Sequence, residues 1–177
     1  VVDAWPDADL CGDVWSTKST TGYWVELSSP SSGRSMPLTW AAKKQTATSL
    51  HTCEAEMVSL SSCARNDAVP IQIVLNALLR RKVNVIIHED NDSTIVAARK
   101  GYSPALRFLP RNHRLTLGFV HELCFDDSEV VIKDKDEEGS INIRKCTSEE
   151  HQGDLFTKEM PRPRFEQCLG FIGMLKK

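Results

Sequence analysis

Three observations predict an α/β fold with a mixed sheet, an antiparallel edge and covering helices. The first residues carry runs of aromatic and branched side chains, the spacing turns helical after about Thr52, and Val83 to His88 is a nearly continuous apolar run. Thr21 to Leu27 and Met36 to Ala41 have strand composition, and Ser28-Ser29-Pro30-Ser31-Ser32-Gly33 between them has turn composition. With a strand before them ending near Asp7, they predict a three-stranded antiparallel start.

From Thr52 to Leu79, Cys53, Met57, Leu60 and Ala64 recur on one helical face, and Pro70 is expected to interrupt or restart the helix. Val83 to His88 reads as a strand buried on both faces. Asp90-Asn91-Asp92-Ser93 offers N-cap residues to a short helix that ends at Arg99-Lys100-Gly101. Another helix is expected over 112–124, with Leu115, Phe119, Val120 and Leu123 inward. A strand is expected at 129–132, a turn at 136–139 and a last strand at 140–146. Thr147-Ser148-Glu149-Glu150 has capping-box spacing and predicts a helix through Lys158, which Pro161 and Pro163 should end. Residues 1–160 are therefore read as one domain, and 161–177 as a C-terminal apolar extension packing on it.

The length of 177 residues suffices to bury roughly two thirds of the unfolded surface without a metal or disulfide. The six cysteines lie far apart with no C-x-x-C pair, as expected of reduced thiols in an intracellular, soluble protein. No apolar run approaches the ~20 residues of a membrane span, so no membrane partner is expected. The start on Val1-Val2-Asp3, with no leader pattern, reads as a piece of a longer chain. Twenty-two basic against 24 acidic residues give a net charge of −2, which argues against tight, self-sufficient nucleic-acid binding. Local basic surfaces remain available at Lys43 and Lys44 and at Arg111 and Arg114, each also explicable as a solvated face.

Four acids fall at element ends that such a sheet brings together: Asp7, Glu56, Asp90 and Asp154. Singly, each has a structural explanation as a strand-end, helix-dipole, N-cap or surface residue. The helical wheel does not choose between Glu54 and Glu56, which flank the apolar stripe on opposite sides.

The words around these acids resemble the ribonuclease H domain of copia-type retrotransposon Pol polyproteins. They are Asp7-Ala8-Asp9-Leu10-Cys11-Gly12-Asp13, Lys18 to Tyr23, Trp40-Ala41-Ala42-Lys43-Lys44-Gln45, Cys53-Glu54-Ala55-Glu56-Met57, Glu89-Asp90-Asn91 and Gly153-Asp154-Leu155-Phe156-Thr157-Lys158. The resemblance implies a ribonuclease H-like fold with a five-stranded mixed sheet, three antiparallel strands first, flanked by helices. It further implies that Asp7, Glu56, Asp90 and Asp154 are the catalytic acids and the ligands of two Mg²⁺ ions, with Mn²⁺ able to substitute. The expected reaction is hydrolysis of the RNA strand of an RNA/DNA hybrid, beside an upstream reverse transcriptase domain, in a cytoplasmic virus-like particle and the nucleus. His151, placed on the predicted last helix three residues before Asp154, and His113 are auxiliary candidates. For His151 an exposed, inert role is the competing expectation.

Leu10, Glu89 and Gly153 depart from the family's usual residues, and Asn112-His113-Arg114-Leu115 is a reduced form of one of its words. Two rivals follow: an integrase or transposase core, disfavoured because the Glu comes second here, and a catalytically silent domain kept as a structural or interaction module.

Overall fold

The computed structural model describes residues 1–13, 15–125 and 138–174. Its sheet has the strand order β3-β2-β1-β4-β5, built from β1 (Val2–Asp9), β2 (Thr20–Ser29), β3 (Arg34–Lys44), β4 (Val85–Glu89) and β5 (Ile141–Lys145). The first three pair antiparallel, whereas β1 with β4 and β4 with β5 pair parallel. The turn between β2 and β3 closes with Gly33 at φ 63°, a conformation that costs glycine little. Its register sets Trp24 opposite Trp40, with ring centroids 6.1 Å apart.

The period-2 alternation of β1 divides it between two cores. Val2 and Ala4 join Tyr23 and Val25 under Met57, Leu60 and Cys63 of α1 (Thr52–Cys63), while Trp5 meets Trp24 and Ile172 on the other face. The described cysteines form no disulfide.

After α1 the chain continues through a π-helical turn, Ala64–Ala68, into α2 (Val69–Leu79). Pro70 lies in the first turn of α2, where a proline's missing N–H is tolerated, so the expected interruption takes the form of one widened turn. Asn91 caps α3 (Asp92–Lys100) by accepting from the Thr94 amide at 3.1 Å, and Gly101 ends that helix at φ 63°.

The structure corrects three expectations. The helix anticipated over 112–124 is two helices, α4 (Leu109–His113) and α5 (Leu117–Cys124), because Arg114 takes a left-handed conformation at φ 54° between them. Leu117, Val120 and Cys124 are the buried face of α5, with Leu115, Phe119 and Leu123 packed partly against the core.

No α-helix runs from the capping-box spacing to Lys158. Residues 147–150 form a turn, followed by a short 3-10 segment, Gln152–Phe156. This segment is pressed so closely on the sheet that a Cβ on Gly153 would lie 2.5 Å from the Trp5 carbonyl oxygen, and one on Gly22 would lie 2.9 Å from the Phe156 backbone. Packing overrides the local cap.

The prolines expected to end a helix instead begin one: Pro161 is the N-cap and Pro163 lies in the first turn of α6 (Arg162–Phe171). The strand expected at 129–132 lies outside the described residues. No described helix is long and apolar enough to cross a membrane.

Candidate functional site

β1 is where the antiparallel and parallel halves of the sheet meet, and the carboxyl ends of β1 and β4 lie side by side. That is the position at which open α/β sheets place their ligands. Asp7 is near the end of β1, Asp90 directly follows β4, Glu56 stands early in α1, and Asp154 is carried by the 3-10 segment held on β1 by the Gly153 contact.

All four acids converge on Asp7. Oxygens of Asp7, Glu56 and Asp90 lie within 4.8 Å of one another, and a second group, within the same span, combines Asp7, Asp154 and His151. Asp7 is shared by both groups and fully buried.

Glu56 is 3% exposed, and its Oε2 is buried without a hydrogen-bond partner. Burial, then the charges of Asp7, Glu89 and Asp90, push its pKa up to about 10. Glu89 is fully buried beside it and is also held well above the usual carboxylate range, chiefly by burial. One Glu89 oxygen accepts the Asn91 amide at 3.1 Å while the other lacks a partner. Asp90 accepts from the Ser148 hydroxyl at 2.6 Å.

Glu54 turns elsewhere, which separates the two glutamates that the helical wheel left equivalent. It accepts the Leu50 amide at 2.7 Å and lies 3.7 Å from His113 Nε2. His113 is in neither acidic group. It lies 3.3 Å from the Ser49 hydroxyl, and burial lowers its pKa against the opposing pull of Glu54.

His151 is neither exposed nor helical: it is fully buried and precedes the 3-10 segment. Its Nε2 lies 3.2 Å from the His88 carbonyl oxygen, which can only accept, so Nε2 carries the proton and donates. Its Nδ1 is buried and lacks a hydrogen-bond partner.

Three cationic or hydroxyl partners in the cluster had no individual signal in the sequence. Lys158 Nζ donates to Asp7 Oδ1 at 2.9 Å and to Asp154 Oδ1 at 2.7 Å. The Thr157 hydroxyl donates to Asp7 Oδ2, and Arg164 pairs with Asp154 Oδ2 at 3.0 Å. The Asp7 contacts join residues about 150 apart in the chain, beyond the reach of any local pattern.

Of the basic candidates, Lys43 and Lys44 end β3 and line a surface groove with Arg65, Asn66 and His113. Lys44 is paired to Asp13 at 2.5 Å, and Arg111 and Arg114 are exposed.

A buried, oxygen-rich cluster with an unpartnered carboxylate oxygen fits a hard divalent cation such as Mg²⁺, which prefers carboxylates to thiols.

No family model matches the chain. Over 175 residues, 98% of its length, it is 23% identical to the retrovirus-related Pol polyprotein from transposon TNT 1-94 of Nicotiana tabacum, and it spans 11% of that polyprotein. Two solved structures share its fold. The N-terminal ribonuclease H domain of a Mycobacterium tuberculosis protein, solved as a fusion with maltose binding protein, has TM-score 0.54 at 12% identity, covering 96% of both chains. Ribonuclease H1 of the halophilic archaeon Halobacterium salinarum has TM-score 0.51 at 11% identity, covering 88% of this chain and 93% of its own. The chain is thus similar along nearly its whole length to part of a retrotransposon Pol polyprotein, and it has a ribonuclease H-like fold.

Proposed function

We propose that the chain is a metal-dependent endonuclease that hydrolyses the RNA strand of RNA/DNA hybrids. The observation that carries this reading is the convergence on Asp7 of Glu56, Asp90 and Asp154 from separate elements, with a buried Glu56 oxygen left unpartnered.

Asp7, Glu56 and Asp90 would hold one Mg²⁺ or Mn²⁺, and Asp7, Asp154 and Nδ1 of His151 the other. Bound there, divalent ions would supply an activated water and stabilisation of the leaving oxyanion. The protein's own part is positional. Asp7 would contribute to both positions, since it alone belongs to both groups. The Ser148 hydroxyl orients Asp90, Arg164 orients Asp154, and the His88 carbonyl fixes the His151 ring.

An RNA/DNA hybrid presents 2′-hydroxyls on one strand only, which lets a protein cut RNA and spare DNA. Lys43, Lys44, Arg111 and Arg114 would contact its phosphates, which fix register without reading sequence. With a net charge of −2, much of the affinity falls to a neighbouring reverse transcriptase domain of the same polyprotein, within a cytoplasmic particle or the nucleus.

A second reading, a silent structural module, draws on one observation: Lys158 and Arg164 already neutralise Asp7 and Asp154.

Cleavage of labelled hybrid, duplex DNA and duplex RNA with Mg²⁺ or Mn²⁺ decides between them. The nuclease reading expects RNA of the hybrid alone to be cut, Glu56→Gln to abolish cutting and Glu54→Gln to retain most of it. No cutting at any ion concentration would favour the silent module, and equal cutting of both hybrid strands would remove the ribonuclease H reading.

A further inference from the structure

The two halves of the acidic cluster are not equivalent. In the Asp7–Asp154 half, all four carboxylate oxygens are engaged by the chain itself: one on each acid by Lys158, the second of Asp7 by Thr157 and the second of Asp154 by Arg164. In the other half, Lys158 reaches the shared Asp7 alone: Glu56 Oε2 has no partner, and among the described residues no Lys or Arg forms an ion pair with the side chain of Glu56 or Asp90.

The two cations also differ in their freedom to leave. Arg164 is tied to the Ser148 carbonyl at 2.6 Å and to that of Glu149, so it also braces the turn before His151. Among the described residues the Lys158 ammonium has no hydrogen-bond partner beyond the two carboxylates, and its side chain is 39% exposed. A lysine is a compact charge on a flexible four-carbon stem, able to swing its ammonium into water.

We propose that Lys158 is an internal cation that occupies the Asp7–Asp154 half of the cluster and must swing out before a divalent ion can enter that half. This rests on the metal-dependent reading above. An ammonium and a divalent ion cannot share the same pair of oxygens, because their repulsion at contact distance in a poorly solvated site is large. The Glu56 half fills first, at low ion concentration; the Asp154 half fills only when the ion outcompetes Lys158. The lysine thereby sets a threshold of divalent ion for assembly of the complete site, and holds Asp7 and Asp154 together below it.

The test is calorimetric titration of the whole chain with Mn²⁺, comparing the parent with Lys158→Met. The parent should show two separable binding events. The variant should tighten the weaker one roughly tenfold or more, since a full positive charge is removed from contact with its ligands, while the stronger changes less. An unchanged or weakened second event in Lys158→Met overturns the proposal and leaves the metal reading standing. Absence of any Mn²⁺ binding by the parent removes both.

Should the variant fail to fold, the parent alone suffices. In a Mg²⁺ titration followed by NMR of ¹³Cε-labelled lysines, the Lys158 signal should move to the position of a free lysine over the range of the weaker event. A Lys158 signal that stays in place while both ions bind overturns the proposal.

Discussion

Glu56 and Glu54 are separated by a single residue yet meet opposite surroundings. One Glu54 oxygen accepts the Leu50 amide and the other faces His113, whereas Glu56 is desolvated beside Asp7, Glu89 and Asp90. An acid whose folded pKa is raised contributes stability that is complete below its unfolded value, here 4.5, and is lost as pH climbs toward about 10. Without divalent ions the chain should therefore become less stable from about pH 4.5 to about pH 10, by at most about 1.4 kcal/mol per pH unit for each such group. Glu89 acts in the same direction. Glu56→Gln should flatten this fall, so that above neutrality the variant is the more stable protein. Urea unfolding in chelator at several pH values checks it, and parallel curves for the two proteins would contradict the buried, repelled state of Glu56.

At the scale of elements, the segment carrying Asp154 shows how packing competes with local signals. Thr147 to Glu150 has the spacing to start a helix, and the Thr147 hydroxyl does reach Glu150, 3.0 Å from Oε2, but side chain to side chain. Tight seating on β1 gives Gln152–Phe156 its 3-10 form, and that seating requires glycine at position 153. Gly153→Ala would place a Cβ 2.5 Å from the Trp5 carbonyl oxygen and 3.0 Å from Asp7 Cβ. It should cost about 1–3 kcal/mol by overpacking and displace Asp154 from Asp7. Thermal melts and hybrid cleavage measured together are the check: an alanine variant with parental stability and activity would show that the segment is not pinned there.

For the molecule as a whole, the acidic cluster joins function to stability. Ions that bind the folded cluster and hardly bind the unfolded chain should stabilise the parent by about 2.7 kcal/mol at a hundred times the dissociation constant. Asp90→Asn removes one of the repelling charges beside Glu56 while leaving an oxygen for the Ser148 hydroxyl. In chelator this variant should be as stable as the parent or slightly more so, and should gain less from Mg²⁺. Melting curves of both proteins with and without Mg²⁺ test this. A strongly destabilised Asp90→Asn in chelator, or a parent indifferent to Mg²⁺, would mark the acids as structural partners.

The amino-acid sequence by itself determined the α/β class, the antiparallel start, the strand ending near Asp7, the N-cap stretch before α3 and the Gly101 that ends it, and it named the four acids as candidates. These are carried by short-range signals: side-chain period, turn residues, caps and ordered words. Only the tertiary structure decided that residues 152–156 are a 3-10 segment, that Pro161 and Pro163 begin α6, that His151 is buried with its proton on Nε2, and that Lys158 bridges Asp7 and Asp154. Each depends on groups far apart in the chain, whose burial and charge exist only once the sheet has brought them together.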